Sequence, residues 1–165
     1  MDKLTHLLRV EFLPAVVGAY LLAIDLPAAL PVRFGRRRRA VLLAGRYVYC
    51  GSAYGPGGLR ARVGRHLRRD KPIRWHVDRL TAAGRIVEVL AVPDGDECDL
   101  FAAVSGCPGA AVPLPGFGSS DCRRCPAHLL RVPLTFSPGN GIAGQAYTAV
   151  EVVPPSHREG NIAAS

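Results

Sequence analysis

The side chains best suited to chemistry fall in one stretch of the chain, residues 47–69. Tyr49 lies in a run of strand-forming residues that ends at a glycine-rich turn, and Arg62 and His66 follow in a basic segment with helical periodicity. An arginine fork stabilises charge on phosphate oxygens, and tyrosine or histidine can position or deprotonate water. We therefore expect Tyr49, Arg62 and His66 to meet at a phosphate. The alternative is structural, because arginine and histidine also border the apolar stripe of amphipathic helices.

The charge of the chain favours a polyanionic partner. The net charge is +8 and the pI is about 9.8, which predicts nucleic acid first and an anionic membrane second. The excess is concentrated, because residues 36–39 are four arginines and residues 60–74 hold seven lysines or arginines against one acid. A solvated basic loop is the alternative for the four-arginine run.

The elements that must position these residues follow from periodicity and from glycine and proline. At 165 residues and 48% hydrophobic content, the chain is long and apolar enough for one domain with a core. Strands are predicted at residues 18–26, 47–53, 86–92 and 129–132. Helices are predicted to begin near residues 59, 75 and 96. The segment with the four arginines, residues 32–45, is predicted to form a hairpin arm.

The cysteines and the first apolar segment bear on location. Five cysteines without regular spacing argue against a disulfide framework and predict a reducing, cytoplasmic compartment. The apolar segment 12–24 is 13 residues long, which is too short to cross a bilayer. Because Glu11 and Asp25 flank it and no clear small-residue cleavage site follows, neither a signal peptide nor a membrane association is expected.

Several short motifs, taken in their order along the chain, resemble the signature of the GIY-YIG nuclease superfamily. The first set comprises Gly18-Ala19-Tyr20, Tyr49-Cys50-Gly51-Ser52 and Leu59-x-x-Arg62-x-x-x-His66. The later set comprises Trp75-His76-Val77-Asp78, Glu97-Cys98 and Phe117-Gly118-Ser119-Ser120-Asp121-Cys122-x-x-Cys125-x-x-His128-Leu129, and it is similar to a poorly characterised bacterial and archaeal subfamily. The resemblance covers about residues 17–132, and the order of the motifs is more specific than any one of them.

The resemblance implies a fold and a division of the chain. Members have a small α/β domain in which an antiparallel sheet of about three strands is flanked by helices. Residues 17–132 would form this domain, residues 1–16 a leader, and residues 133–165 a flexible or weakly structured tail.

The resemblance also implies a reaction, the metal-assisted hydrolysis of a phosphodiester bond. The substrate would be DNA rather than RNA, in repair or processing, with a DNA-repair protein as an expected partner. The catalytic residues carried over are Tyr20, Tyr49, Arg62, His66 and Glu97. Glu97 would also bind Mg²⁺ or Mn²⁺, the cofactor that the resemblance implies. The residues expected to contact nucleic acid are Gly51, Ser52, Arg60, Arg65, Arg69, His76, Ser119 and Ser120.

Two departures from the family pattern keep a second function open. Ser52 stands where several members have lysine, and Glu97 lies near the start of its predicted helix, where a capping role is the alternative to metal binding. A nucleic-acid-binding module that keeps the nuclease fold without catalysis is therefore the second hypothesis. It predicts salt-sensitive binding without hydrolysis.

The motif Cys122-x-x-Cys125-x-x-His128 offers three of the four ligands of a zinc site. The fourth would have to be Cys98 or Cys107, and the spacing supplies no second cysteine pair. Zinc is therefore not expected, and a structural closing motif is preferred. A zinc-stabilised interaction domain is the third hypothesis.

Overall fold

The computed structural model describes residue 10, residues 13–141 and residues 148–151. The strands are β1 (Gly18–Leu26), β2 (Leu30–Phe34), β3 (Arg38–Leu42), β4 (Gly45–Ser52), β5 (Arg85–Pro93), β6 (Leu129–Val132) and β7 (Thr148–Glu151). The helices are α1 (Gly58–Leu67), α2 (His76–Ala83), α3 (Glu97–Ser105) and α4 (Pro138–Gly141). The α/β class and the predicted strands and helices are confirmed.

The main sheet has the strand order β6-β4-β1-β5-β7, and every neighbouring pair in it is antiparallel. The predicted core of three strands is β4-β1-β5, and β6 and β7 extend it at the two edges. β1 lies at the centre because its apolar run is buried on both faces, which is typical of a strand covered on both sides.

Alternation along the strands divides the core into two layers. On one face, Tyr20, Leu22 and Ile24 pack with α1 and α2. On the other face, Leu21 and Val48 pack with α3. The helices therefore lie on opposite sides of the sheet, and the tyrosine face looks toward α1.

The predicted hairpin arm is confirmed as a two-stranded antiparallel ribbon, β2–β3. Val32, Phe34 and Leu42 turn inward and are buried in the same core layer as α2. Arg33 and Arg39, which are opposite each other in the register, are exposed. The ribbon therefore has one face in the core and a basic face in solvent.

Part of the predicted tail contributes to the sheet. β7 pairs with β5, and Glu88 on β5 accepts hydrogen bonds from Ser137 Oγ at 2.9 Å and from the Gly139 amide at 3.3 Å. Residues 142–147 and 152–165 of the tail, and most of the predicted leader, lie outside the described residues. None of the described helices combines the length and the apolar character that crossing a bilayer demands.

Candidate functional site

A cleft of about 550 Å³ opens where β1 begins, β4 ends and α3 begins. Tyr20 and Tyr49 line it from the sheet, Arg62 from α1, and Glu97 from the first turn of α3. The loop between α3 and β6 closes the remaining side. Four of the five predicted catalytic side chains therefore line the same cleft.

The two tyrosines share a face because of the register between β1 and β4. Tyr20 is opposite Gly51, and Tyr49 is opposite Leu22, so the two phenols are two positions apart on neighbouring strands. Their ring centroids are 6.4 Å apart. A Cβ atom on Gly51 would lie 2.3 Å from the Tyr20 hydroxyl, so the absence of a side chain at Gly51 lets the Tyr20 ring lie across β4.

His66, the remaining predicted catalytic residue, lies behind Tyr20. The Tyr20 hydroxyl and His66 Nε2 are 2.7 Å apart, and both side chains are buried. Burial lowers the pKa of His66 to about 4 and raises the pKa of Tyr20 well above its usual range. At neutral pH the imidazole is therefore uncharged and accepts the hydrogen bond that the protonated phenol donates. This assignment places the imidazole proton on Nδ1.

Asp78 lies on the far side of the His66 ring; the sequence placed it in the motif Trp75-His76-Val77-Asp78 but gave it no role at the site. Its carboxylate accepts hydrogen bonds from Arg65 Nη1 and Nη2 at 2.8 and 2.9 Å and from the amides of Arg74 and Trp75. Burial opposes ionisation, but the bonds from Arg65 and the two amides lower the pKa of Asp78 to about 2. Asp78 Oδ1 is 3.9 Å from His66 Nδ1, which has no hydrogen-bond partner among the described residues. The carboxylate therefore stabilises a positive charge on His66 without accepting a hydrogen bond from it.

Trp75 holds the two arginines of α1 that lie closest to the site. The guanidinium carbon of Arg62 is 4.6 Å from the Trp75 ring centroid, and that of Arg65 is 4.0 Å away. Arg65 is paired with Asp78, whereas no carboxylate of the described part of the chain pairs with Arg62. Arg62 therefore presents its N–H groups to the cleft while its planar group is held by stacking.

Burial keeps the second phenol protonated as well. It raises the pKa of Tyr49 to about 12, and Arg62 opposes this shift only in part. Tyr49 therefore offers the cleft a hydrogen-bond donor at neutral pH and not a phenolate.

The residues predicted to contact nucleic acid divide into two groups. Gly51, Ser52 and Ser120 line the cleft, and Ser119 is buried beside it. Their position at the end of β4 and in the loop before β6 brings backbone amides and hydroxyls to the cleft wall.

The other group does not reach the cleft. Arg60 donates to the Leu13 carbonyl at 2.7 Å, and Arg65 is bound to Asp78. Arg69 lies in a groove at the Asp25 end of the sheet, whereas His76 packs against the Phe117 ring with centroids 5.5 Å apart. These residues were predicted from charge or motif, and neither shows which way a helical side chain points.

Four further side chains form a cluster in the wall of the cleft: Cys98, Cys122, Cys125 and His128. Their ligand atoms all lie within 4.8 Å of one another. Cys98 Sγ is 3.4 Å from Cys122 Sγ and 4.0 Å from His128 Nε2. A tetrahedron with zinc–sulfur bonds of about 2.3 Å has edges of about 3.8 Å, so these spacings fit a four-coordinate ion. The cysteines are free thiols, not a disulfide.

The donor set corrects the cofactor prediction. Three thiols and an imidazole suit Zn²⁺, whereas Mg²⁺ and Mn²⁺ prefer oxygen ligands. In the part of the chain that the structure describes, this is the one group of three or more potential ligands, and Glu97 is not in it. The prediction of Mg²⁺ or Mn²⁺, with zinc not expected, was therefore wrong. The sequence showed three ligands, and only the fold brings Cys98 from α3 to complete the set.

Ion pairs and a helix cap fix the cluster to α3. The Asp96 carboxylate accepts from the amides of Cys98 and Asp99, which begins the helix. Arg124, between two of the cluster cysteines, pairs with both Asp96 and Asp99 at 3.1 Å. The loop before β6 is thereby held against the start of α3 even apart from a metal.

Comparison with known proteins gives a family but no function. The family described as a domain of unknown function, DUF123, matches residues 19–145, well over half of the 165 residues. No curated protein and no solved structure matches the chain. The matched residues run from the second position of β1 to beyond α4 and so contain every element that lines the cleft. The chain therefore belongs to the DUF123 family.

Proposed function

We propose that this protein is a nuclease that hydrolyses a phosphodiester bond of DNA in the cleft. The observation that carries the proposal is the hydrogen bond from the Tyr20 phenol to the neutral His66, at the floor of a cleft that also holds Arg62, which pairs with no carboxylate of the described residues. A proton acceptor behind a hydroxyl, next to an anion-binding group, is what attack on a phosphodiester requires. The resemblance to GIY-YIG nucleases is part of this proposal and rests on the same residues.

Tyr20 and His66 would act together as the base. As a water molecule attacks phosphorus, its proton passes to the Tyr20 oxygen while the Tyr20 proton passes to His66 Nε2. The water oxygen forms the new bond to phosphorus, the bond to the leaving sugar oxygen breaks, and that oxygen takes a proton from solvent. This coupled transfer avoids a free phenolate, which the raised pKa of Tyr20 disfavours.

The negative charge of a bound phosphodiester compensates for the low pKa of His66. Burial lowers the pKa of His66 to about 4, a value that already includes the opposing effect of Asp78, 3.9 Å from Nδ1. A phosphodiester bound nearby adds a negative charge, which raises the proton affinity of His66 above this value.

Arg62 would bind the phosphate. Its guanidinium has no carboxylate partner among the described residues, so its N–H groups are available for two phosphate oxygens. Ser52 and the loop at Ser120 add donors on either side. These groups stabilise the charge that develops on the phosphate during attack.

The cysteine–histidine cluster would have a structural role in this reaction. Zn²⁺ bound by Cys98, Cys122, Cys125 and His128 would have four protein ligands, which is typical of a structural site. It would cross-link α3 to the loop that closes the cleft. Glu97 remains at the cleft as a carboxylate that can orient water or a sugar hydroxyl.

A cytoplasmic location belongs to the same proposal. Three cysteines, Cys98, Cys122 and Cys125, lie in the cluster and Cys50 is buried in the core, and none of these four forms a disulfide. Free thiols persist in a reducing compartment.

A second candidate is a nucleic-acid-binding module without catalysis. It is favoured by Glu97, which belongs to no group of three potential metal ligands in the described ranges. Such a module would use Arg62 to bind phosphate and would leave DNA intact.

The experiment compares Tyr20→Phe and Arg62→Ala with the wild type on labelled single-stranded, duplex and branched DNA. Tyr20→Phe keeps the ring but removes the proton path, so we expect kcat to fall by a factor of about 10² or more. Arg62→Ala should reduce kcat/KM by a factor of about 10²–10³. Tyr54→Phe is the matched control, because Tyr54 is exposed and its hydroxyl contacts only the Gly95 carbonyl among the described residues.

Two outcomes would contradict the proposal. Equal cleavage by the wild type and Tyr20→Phe would show that the Tyr20–His66 pair is not the base. Binding of DNA that depends on Arg62, with no product on any substrate, would leave the binding module as the function.

A further inference from the structure

The proposed reaction does not use the arginine run that stands out in the sequence. Arg33, Arg36, Arg37, Arg38 and Arg39 lie within seven consecutive residues that include no acid. They occupy the facing ends of β2 and β3 and the turn between them, and all five are exposed. This segment, the basic ribbon, is therefore a concentrated positive charge on a rigid hairpin.

The charges of the basic ribbon are not neutralised within the described part of the chain. No ion pair joins any of these arginines to a described carboxylate. Arg33 and Arg39 are direct partners across the ribbon, and like charges in this position destabilise a strand pair. A polyanion bound against the ribbon would offset this repulsion, which explains why two arginines stand opposite each other.

The outer face of the ribbon forms a wall of a groove of about 630 Å³. Arg33 and Arg39 line the groove from the ribbon, and Arg79 lines it from α2. Three arginines, two from the ribbon and one from α2, thus line one surface depression. This convergence is produced by the fold, because Arg79 lies far from the arginine run in sequence.

One arginine of the basic ribbon, Arg38, lies close to the loop that lines the cleft. Arg38 stacks on the Phe34 ring with its guanidinium carbon 4.3 Å from the centroid. Its Nη1 atom lies 3.1 Å from the position that a Cβ atom on Gly116 would occupy. Gly116 is two residues before Gly118, which lines the cleft. Arg38, on the other face of the ribbon from Arg33 and Arg39, therefore lies next to the loop that lines the cleft.

We infer that the outer face of the basic ribbon, with Arg79, binds the phosphate backbone of duplex DNA beside the cleft. The choice of DNA as the polyanion rests on the proposed function, whereas the site itself rests on exposed arginines that pair with no carboxylate in the described ranges. Such contacts fix register and orientation and carry no base sequence. Their energetic signature is a salt-dependent affinity.

The test measures binding of a mixed-sequence duplex by fluorescence anisotropy between about 50 and 200 mM salt. The variant Arg33→Gln/Arg39→Gln removes two charges from the ribbon. Arg68→Gln/Arg85→Gln is the matched control, since it removes two exposed charges at the end of α1 and the start of β5. The ribbon variant should reduce the slope of log Kobs against log salt by about 2, at about 0.9 per phosphate contact. The control should leave the slope unchanged.

A second variant and a small substrate distinguish failure of the ribbon inference from failure of the proposed nuclease activity. Arg36→Gln/Arg37→Gln, in the turn, should also reduce the slope. If the first variant does not fold, this second variant tests whether the ribbon binds DNA. Hydrolysis of an aryl phosphodiester too small to reach the ribbon should be unchanged in both variants. If no substrate is hydrolysed but the slope still depends on the ribbon, the proposed nuclease fails and the ribbon inference stands.

Three results would overturn the inference. One is an unchanged slope in both ribbon variants. Another is an equal decrease in the control, which would mean that only the net charge matters. The third is ribbon-dependent binding to phosphatidylserine vesicles without ribbon-dependent binding to duplex DNA, which would make the ribbon a membrane contact.

Discussion

Replacing Asp78 by asparagine should destabilise the protein at neutral pH, and the loss should shrink in acid. Asp78 is buried and its carboxylate accepts hydrogen bonds from Arg65 and from two backbone amides. Its pKa is about 2 instead of the ordinary 3.8. A tenfold change in an ionisation constant is worth about 1.4 kcal/mol, so the ionised carboxylate contributes about 2–3 kcal/mol at pH 7.

The sign of the pH dependence follows from linkage. Because the pKa of Asp78 is lower in the folded chain, its contribution is fully present above the unfolded pKa of 3.8 and is lost as the pH falls toward about 2. At pH 3 about half of the contribution remains. Comparison with Asp78→Asn removes the effect of the other titrating groups to first order.

The assay is equilibrium unfolding in urea at pH 7, 5 and 3, for the wild type, Asp78→Asn and the control Asp70→Asn. Asp70 is exposed and has no ion pair with a described residue, so its substitution should change the free energy of unfolding by less than about 0.5 kcal/mol. Asp78→Asn should reduce it by about 2–3 kcal/mol at pH 7 and by about half as much at pH 3. The reasoning would be refuted if Asp78→Asn lowered the free energy of unfolding by no more than Asp70→Asn does, or if its effect did not shrink in acid.

Three further predictions follow from the same contacts. Gly51→Ala should lower the free energy of unfolding by about 1–3 kcal/mol, because the added Cβ would lie 2.3 Å from the Tyr20 hydroxyl. Thermal unfolding measures this against the control Gly106→Ala, whose added Cβ would have its nearest neighbour at 3.6 Å. Equal unfolding midpoints for the two variants would contradict the prediction. Protein purified without added metal should contain about one zinc per chain by elemental analysis, and Cys98→Ser should lose most of it; a zinc-free wild type would exclude the site. Since burial lowers the pKa of His66 to about 4 from 6.5, the wild type should lose stability as the pH falls from 6.5 to 4. In urea unfolding, this decrease should be smaller in His66→Gln, where His76 and His128, whose pKa values burial also lowers, still contribute; an equal decrease in the two proteins contradicts the prediction.

The local structure could be read from the sequence because it depends on short-range patterns. Alternation of apolar residues predicted β1, richness in valine and isoleucine predicted β5, and glycine and proline punctuation predicted where α1 begins. The fold class was implied by the family resemblance. The edge strand β6 was predicted, but the other edge was harder, because β7 pairs with β5 from a segment rich in proline, glycine and serine.

The candidate site was predicted in part for the same reason. Tyr20, Tyr49 and Arg62 meet in the cleft because period-2 and period-3.6 spacing fix the faces of β1, β4 and α1. The partners of these residues could not be predicted, since Asp78 reaches His66 and Arg65 only through the packing of α2 on α1.

By itself, the sequence determined the helices, the strands and the ordered set of tyrosine, arginine and histidine, since each of these depends on neighbours along the chain. Only the tertiary structure decided the metal chemistry, because Cys98 lies 24 residues before Cys122 and meets it only across the start of α3. It also decided which cations are free, because Arg60 and Arg65 are held by a carbonyl and a carboxylate while Arg62 faces the cleft. Distances between residues remote in sequence are set by how the elements pack, and no local spacing contains them.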